Sequence, residues 1–280
     1  MISNQFTIKK KVSFSGVGLH SGEQANIVLH PEETDKGISF YYEKKKICAT
    51  WKNGQISQLC TTLKKGNFRL STIEHLMSAL SGLGISNIII ETSSGEIPIL
   101  DGSAKEYVDE ILKVGLIDQK KTKKFLKIKK KVLFKSNNKF IEINPIAEQK
   151  FIIDCTIDYK DDFIKKQNLT YEHSVDNYKK IYKARTFCLH KDLEQIFSMG
   201  LARGGTLDNA IVVSGNRILN QGGLRYKDEF VKHKILDCIG DLYLAEHQIL
   251  GQLITIGGGH EINLILLREI FKDKDNYNYL

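Results

Sequence analysis

The chain of 280 residues carries 41 Lys and Arg against 33 Asp and Glu, a formal net charge of +8, with 41% hydrophobic residues, 26% charged residues and 3 prolines. That composition is globular and excludes a disordered, collagen-like or low-complexity protein; the length suits one large domain or two of ordinary size. Of the 41 basic residues 35 are Lys and 6 are Arg, which argues against a base-reading protein, because bidentate recognition favours the guanidinium fork.

Met1-Ile2-Ser3-Asn4-Gln5-Phe6 lacks the basic-then-apolar pattern of a secretory signal, and no apolar run approaches the roughly 20 residues of a bilayer span. Five cysteines, at 48, 60, 155, 188 and 238, form no Cys-x-x-Cys pair. They point to a reduced compartment and away from a thiolate zinc site. The expectation is a cytoplasmic protein with no transmembrane segment.

In chain order, Phe6 to Phe14 and Ala25 to Leu29 alternate as strands do, separated by the turn-rich Ser15-Gly16-Val17-Gly18-Leu19-His20-Ser21-Gly22. Ser71-Thr72-Ile73-Glu74 reads as a capping box opening a helix with Leu76, Ala79, Leu80 and Leu83 on its apolar side. Asn87 to Glu91 reads as a short buried strand. Asp101-Gly102-Ser103 leads into a second helix with Tyr107, Val108, Ile111 and Leu112 as its stripe. Residues 120–139 hold 10 lysines and no Asp or Glu, the pattern of a solvated linker or exposed face. The boundary placed there divides the chain into residues 1–122 and 123–280. Beyond it, Phe125 to Phe134, Lys139 to Ile143 and Phe151 to Tyr159 read as strands. Helices are predicted at about 174–183 and 228–248, and an amphipathic segment at 261–270 follows Gly257-Gly258-Gly259. Two α+β halves of similar size result.

Three histidines stand in chemically suggestive surroundings. His75 follows Glu74 near a helix start, and His260 follows three glycines. His233 and Asp237 are spaced i, i+4, which puts both on one helix face, with Asp241 four residues further on. Two His and one carboxylate suffice for a hydrolytic zinc centre, which leaves its fourth position to water. Ordinary readings compete: Glu74 as the last residue of the capping box, His233–Asp237 as a surface pair, Asp241 as a solvated carboxylate, His260 as a loop residue.

The segments around these residues resemble the UDP-3-O-acyl-N-acetylglucosamine deacetylase family of bacterial lipid A synthesis. The matching stretches are 15–22, Ser71-Thr72-Ile73-Glu74-His75-Leu76, Glu96-Ile97-Pro98-Ile99-Leu100-Asp101-Gly102-Ser103-Ala104, Ala184-Arg185-Thr186-Phe187, Gly204-Gly205-Thr206-Leu207-Asp208-Asn209-Ala210, Arg225 through Asp241, and Gly259-His260. The resemblance implies Zn2+ held by His75, His233 and Asp237, with Fe2+ an alternative occupant. It implies Glu74 as general base on the attacking water and Thr186 as a donor to the oxyanion. His260 becomes the acid that protonates the amine, oriented by Asp241. The implied substrate is UDP-3-O-acyl-N-acetylglucosamine, contacted by Lys234, Phe187 at the sugar, Lys139 at the diphosphate and Tyr159 at the uracil. Lys139 and Tyr159 also admit plain readings, as a hairpin lysine and a packed strand-end tyrosine.

The implied fold is a two-domain α+β protein. Each domain is a β-sheet packed with two helices, stacked as a four-layer β-α-α-β sandwich with a small insert in each half. The second insert, at about 188–214, offers Leu189, Ile196, Leu201, Ile211 and Val213 either as lining of an acyl passage or as the insert's own core. Two departures stand out: Thr62 where the family often has a second cysteine near Cys60, and Leu189 at a frequently aromatic position. The expected enzyme is monomeric, binds no specific nucleic acid, and associates at most weakly with a membrane surface. Two other readings are a non-catalytic binder of RNA or anionic membrane using residues 120–139, and a zinc amidase for a different N-acylated sugar.

Overall fold

The computed structural model describes residues 4–136 and 139–280. The first half builds a five-stranded sheet in the order Val12–Val17, Gln24–Pro31, Ile88–Thr92, Ile38–Tyr42, Lys45–Cys48. It is antiparallel except where Ile38–Tyr42 runs parallel to Ile88–Thr92. Gln24–Pro31 alternates buried and exposed positions, with Ala25, Ile27 and Leu29 turned to the core, as period-2 geometry dictates for a sheet with one covered face. A small sheet of Gly54–Gln55, Thr62–Lys65 and Phe68–Leu70 forms this half's insert.

The second half builds a seven-stranded sheet around Gln248–Ile256. Phe125–Ile128 pairs with the first three residues of that strand, and Lys139–Asn144 and Phe151–Asp158 with the remainder. Val132–Ser136, Lys166–Glu172 and Tyr277–Tyr279 complete it. Its insert is Phe187–Leu189, Ile211–Ser214 and Arg217–Ile218.

Among the described residues there are six α-helices: α1 Glu74–Gly82, α2 Lys105–Val114, α3 Val175–Tyr178, α4 Leu193–Ser198, α5 Glu229–Leu242 and α6 His260–Lys272. Helices α1 and α2 belong to the first sheet, α5 and α6 to the second, and α1 packs along α5. All nine residues of α1 are buried, as are 12 of the 14 in α5, which is the signature of helices in the middle of a layered molecule. The fold is the expected α+β sandwich. At the α1–α5 crossing Gly240 does what no other residue could: a Cβ there would lie 2.0 Å from the Glu74 carbonyl oxygen. That close approach sets the site.

Several local expectations are corrected. The capping box is not made, because Ile73 is the N-cap and no side chain caps α1; the Glu74 carboxylate turns instead to the Thr61 N–H. Leu112 is half exposed, so the buried stripe of α2 narrows to Tyr107, Val108 and Ile111. The helix at 174–183 shrinks to α3. From its last residue, Tyr178, the chain goes on through i to i+3 turns that keep Ile181 and Ala184 buried, an apolar spacing of three without a helix. Helix α5 ends at Leu242, and the chain turns at Glu246, φ +69°, into the central strand. The predicted strands 6–14 and 125–134 each break at three lysines, 9–11 and 129–131, where the chain changes pairing partner.

The lysine-rich run is not a free linker. Leu116–Thr122 pairs with Asn4–Ile8, and Phe125–Ile128 joins the second sheet. Lys123 between them is buried, and that burial lowers its pKa to about 8. The run's alternation of lysines with Phe125, Leu126 and Ile128 is strand patterning. Among the described residues no helix is long and apolar enough to cross a membrane.

Candidate active site

Helix α1 delivers Glu74 and His75 from its first turn, and α5 presents His233, Asp237 and Asp241 at successive four-residue steps on one face. Helix α6 begins at His260. The three helix segments meet in the wall of a cavity of about 1040 Å³.

His75, His233 and Asp237 each offer one ligand atom within 4.8 Å of the others, and all three residues are buried. The Nε2 atoms of His75 and His233 lie 3.6 and 3.4 Å from Asp237 Oδ1. That oxygen has no hydrogen-bond partner among the described residues. The backbone oxygen of Ala184, 3.0 Å from His233 Nδ1, can only accept. The ring proton therefore sits on Nδ1, and the Nε2 lone pair faces the cluster. Burial pushes the His233 pKa down to about 3, keeping the imidazole neutral. For Asp237 burial opposes ionisation, but His233 and Lys234 outweigh it and hold the carboxyl well below its ordinary range. Two imidazoles and a carboxylate, all buried and within 4.8 Å of one another, form a set of electron-pair donors that fits a divalent cation.

Around this cluster lie the acid–base groups. Glu74 is buried, and desolvation raises its pKa. Its Oε2 accepts from the Thr61 N–H at 3.0 Å, while Oε1 faces His260 Nε2 at 3.9 Å. His260 Nδ1 donates to Asp241 Oδ2 at 2.9 Å, and Asn263 Nδ2 donates to the same oxygen at 2.8 Å. Burial disfavours the imidazolium, yet Asp241 and Glu74 outweigh it and hold the His260 pKa up at about 10. The site thus pairs a carboxylate made more basic by burial with an imidazole kept protonated at neutral pH, the arrangement general acid–base chemistry requires.

Ten of the eleven sequence-predicted site residues line the cavity; Asp241 stands behind His260. Lys234 Nζ bonds Asp237 Oδ2 at 2.8 Å and lies 5.5 Å from the Phe187 ring centroid. Its ammonium form loses by burial, but Asp237 more than compensates and raises its pKa. Phe187 packs edge-on against Tyr159 at 5.2 Å and Phe230 at 4.8 Å. Lys139 reaches Glu261 at 3.3 Å on the cavity wall. Thr186 is fixed through its backbone, its N–H bonding Gly102 at 2.7 Å and its carbonyl Ile211 at 2.8 Å.

The insert residues divide between the two readings left open by the sequence. Ile196 lines the cavity, but Leu189, Ile211 and Val213 are buried in the insert's core, and Leu201 does not reach the wall. Strand alternation explains it: with Ile211 and Val213 inward, Val212 faces the cavity. Sequence reasoning also missed three supports. Thr61 and Asn263 hold the acid–base groups, and a buried Arg185–Glu229 pair at 2.9 Å anchors the segment before Thr186. Asn263 was legible as the residue one helical turn after His260; Thr61, in a short insert, gave no periodic signal. Glu96 accepts from the His20 and Ser21 N–H groups, both at 2.8 Å, folding the 15–22 loop into a cavity wall.

A buried carboxylate and a protonated imidazole beside a three-donor cluster, lining one cavity in an α+β fold, is a layout that suits hydrolytic chemistry. The comparisons with known proteins narrow that class. The family profile described as "LpxC: UDP-3-O-acyl N-acetylglycosamine deacetylase" matches residues 5–272. The UDP-3-O-acyl-N-acetylglucosamine deacetylase of Teredinibacter turnerae is 42% identical over 97% of this chain and 91% of its own. That of Campylobacter jejuni is 41% identical over 98% of this chain and 93% of its own. The chain belongs to the LpxC deacetylase family.

Proposed function

We propose that the chain is a zinc-dependent deacetylase that hydrolyses the N-acetyl group of UDP-3-O-acyl-N-acetylglucosamine, releasing acetate and UDP-3-O-acyl-glucosamine in lipid A biosynthesis. The observation that carries this reading is the buried His75, His233 and Asp237 cluster with Glu74 and His260 beside it, in a chain of this family. Bound there, zinc supplies Lewis acidity that lowers the pKa of water and polarises the acetamide carbonyl; two His and one carboxylate also suit Fe2+.

The chain's own residues do the rest. Glu74 accepts a proton from the attacking water as its oxygen bonds to the carbonyl carbon. The Thr186 hydroxyl donates to the oxygen on which charge develops. As the C–N bond breaks, His260 gives its proton to the departing sugar amine, and Asp241 stabilises the imidazolium until then. Lys234 and Phe187 hold the sugar, Lys139 the diphosphate, and Tyr159 stacks on the uracil. The apolar wall of Leu193, Ile196, Phe197 and Leu207 suits the acyl chain. The reading takes the enzyme as cytoplasmic and monomeric, with domains at 1–122 and 123–280.

Acetate release from UDP-3-O-acyl-N-acetylglucosamine, beside UDP-N-acetylglucosamine and with metal analysis of the same sample, tests the proposal. Turnover of the acylated substrate that needs one equivalent of zinc is the expected result. Full activity in metal-free protein overturns the metal's part, and no turnover in the zinc-loaded protein overturns the whole.

A further inference from the structure

We infer that Thr61 is a positioning residue that ties the proposed base to the carboxylate behind the proposed acid; this rests on the functional reading above. Thr61 is buried, precedes the insert strand Thr62–Lys65, and is absent from the cavity lining, so it acts only through other residues. Every polar atom it has is committed. Its N–H donates to Glu74 Oε2 at 3.0 Å, its carbonyl accepts from the Ile73 N–H at 3.4 Å, and its hydroxyl donates to Asp241 Oδ1. The last bond crosses between the two halves of the molecule.

The consequence is geometric. Glu74 Oε1 and His260 Nε2 stand 3.9 Å apart, too far for a hydrogen bond. Both groups line the cavity, so the gap between them is part of the site's working geometry. Thr61 fixes that gap from two directions. Its N–H claims one Glu74 oxygen. Its hydroxyl fixes one oxygen of Asp241, whose other oxygen is held by Asn263 and receives the His260 Nδ1–H. Without the hydroxyl, Asp241 Oδ1 is buried with a donor missing, the carboxylate is free to turn about its Cβ–Cγ bond, and the His260 ring turns with it. The β-branched side chain has few rotamers, so the hydroxyl's position costs little to hold.

The test compares the full-length wild type with Thr61→Val, which keeps shape and backbone N–H but removes the hydroxyl, and Thr61→Ser, which restores it. Thr61→Val is expected to lower kcat on UDP-3-O-acyl-N-acetylglucosamine by about 10- to 100-fold, the loss of one hydrogen bond to a charged group. KM and bound zinc should hold, and Thr61→Ser should return most of kcat. In the metal-free protein the His260 Nδ1–H proton resonance should shift or broaden in Thr61→Val and recover in Thr61→Ser. Adding Thr61→Val to Asp241→Asn should cost nothing more, because one acts through the other. If Thr61→Val does not fold, Thr61→Ala carries the same comparison. A kcat equal to wild type, a loss that Thr61→Ser shares fully, or losses that multiply with Asp241→Asn overturn the inference. An active wild type beside an equally active Thr61→Val sinks this inference alone; an inactive zinc-loaded wild type sinks the functional reading with it.

Discussion

Replacing Gly240 by alanine sets two known effects against each other. In an isolated helix the change stabilises by about 1 kcal/mol, because glycine is a poor helix former. Here the added Cβ would sit 2.0 Å from the Glu74 carbonyl oxygen, 2.9 Å from its carbon and 3.0 Å from the Ser78 nitrogen, all backbone atoms of α1. Real Cβ atoms essentially never come within 3.0 Å of such a neighbour, so α1 and α5 must part by about 1 Å at that point. Overpacking costs about 1–3 kcal/mol, and with no flexible side chain to yield, the upper part of that range applies. The net is a loss of about 1–2 kcal/mol, or a Tm lower by about 2–8 °C. The same parting moves His75 away from His233 and Asp237. Metal distances tolerate only about 0.2 Å, so zinc affinity should fall at least about 10-fold. Calorimetry and chelator competition read the two numbers. A Gly240→Ala protein that melts higher than wild type and holds zinc as tightly would refute the packing argument.

Glu74→Ala should keep zinc bound and lose about 10²- to 10⁴-fold in kcat; a helix-capping role would instead lower Tm and spare turnover, so kinetics and metal content on one sample separate the two. Asp241→Asn removes the anion that most favours the His260 imidazolium. The His260 pKa should fall from about 10, and the alkaline limb of the kcat–pH profile should move to lower pH with it. An alkaline limb that stays in place would exclude His260 as the acid. Glu229→Ala strands the Arg185 guanidinium, which donates to Glu229 through Nε at 2.9 Å in a buried pair. Denaturant unfolding should show a loss of about 3–5 kcal/mol, and a loss under 1 kcal/mol would mean that water rescues the charge.

Helix spacing alone made His233, Asp237 and Asp241 neighbours; what gathered them with Glu74, His75 and His260 into one centre was the resemblance to the deacetylase family. Glu74-His75 stand where a helix opens. What periodicity suggested for Glu74, however, was a cap, and only the tertiary structure shows its carboxylate turned inward to Thr61. The elements that slipped share one cause. Strand breaks at 9–11 and 129–131 are set by which strand lies alongside, and the one-turn α3 followed by turns keeps the same apolar spacing as a helix. Lys123 was invisible for the opposite reason: composition assigned it to solvent, while its neighbours in two sheets enclose it. Which of the two open readings each residue of the insert strand takes is set by strand parity, where an offset of one residue reverses every side chain.

The division of the centre between α1, α5 and α6 has a bearing on the chain's life during synthesis. Segments fold in order of emergence, at about 5–20 residues per second. His75 therefore leaves the ribosome about 10–40 s before His260, and its nearest partners in the cluster follow only with α5. Through that interval Glu74 and His75 belong to an exposed face of α1 whose eventual cover does not yet exist. The donor cluster and the acid–base pair stay incomplete until α5 and α6 have closed over that face, and a chaperone that shields α1 has a defined window in which to act.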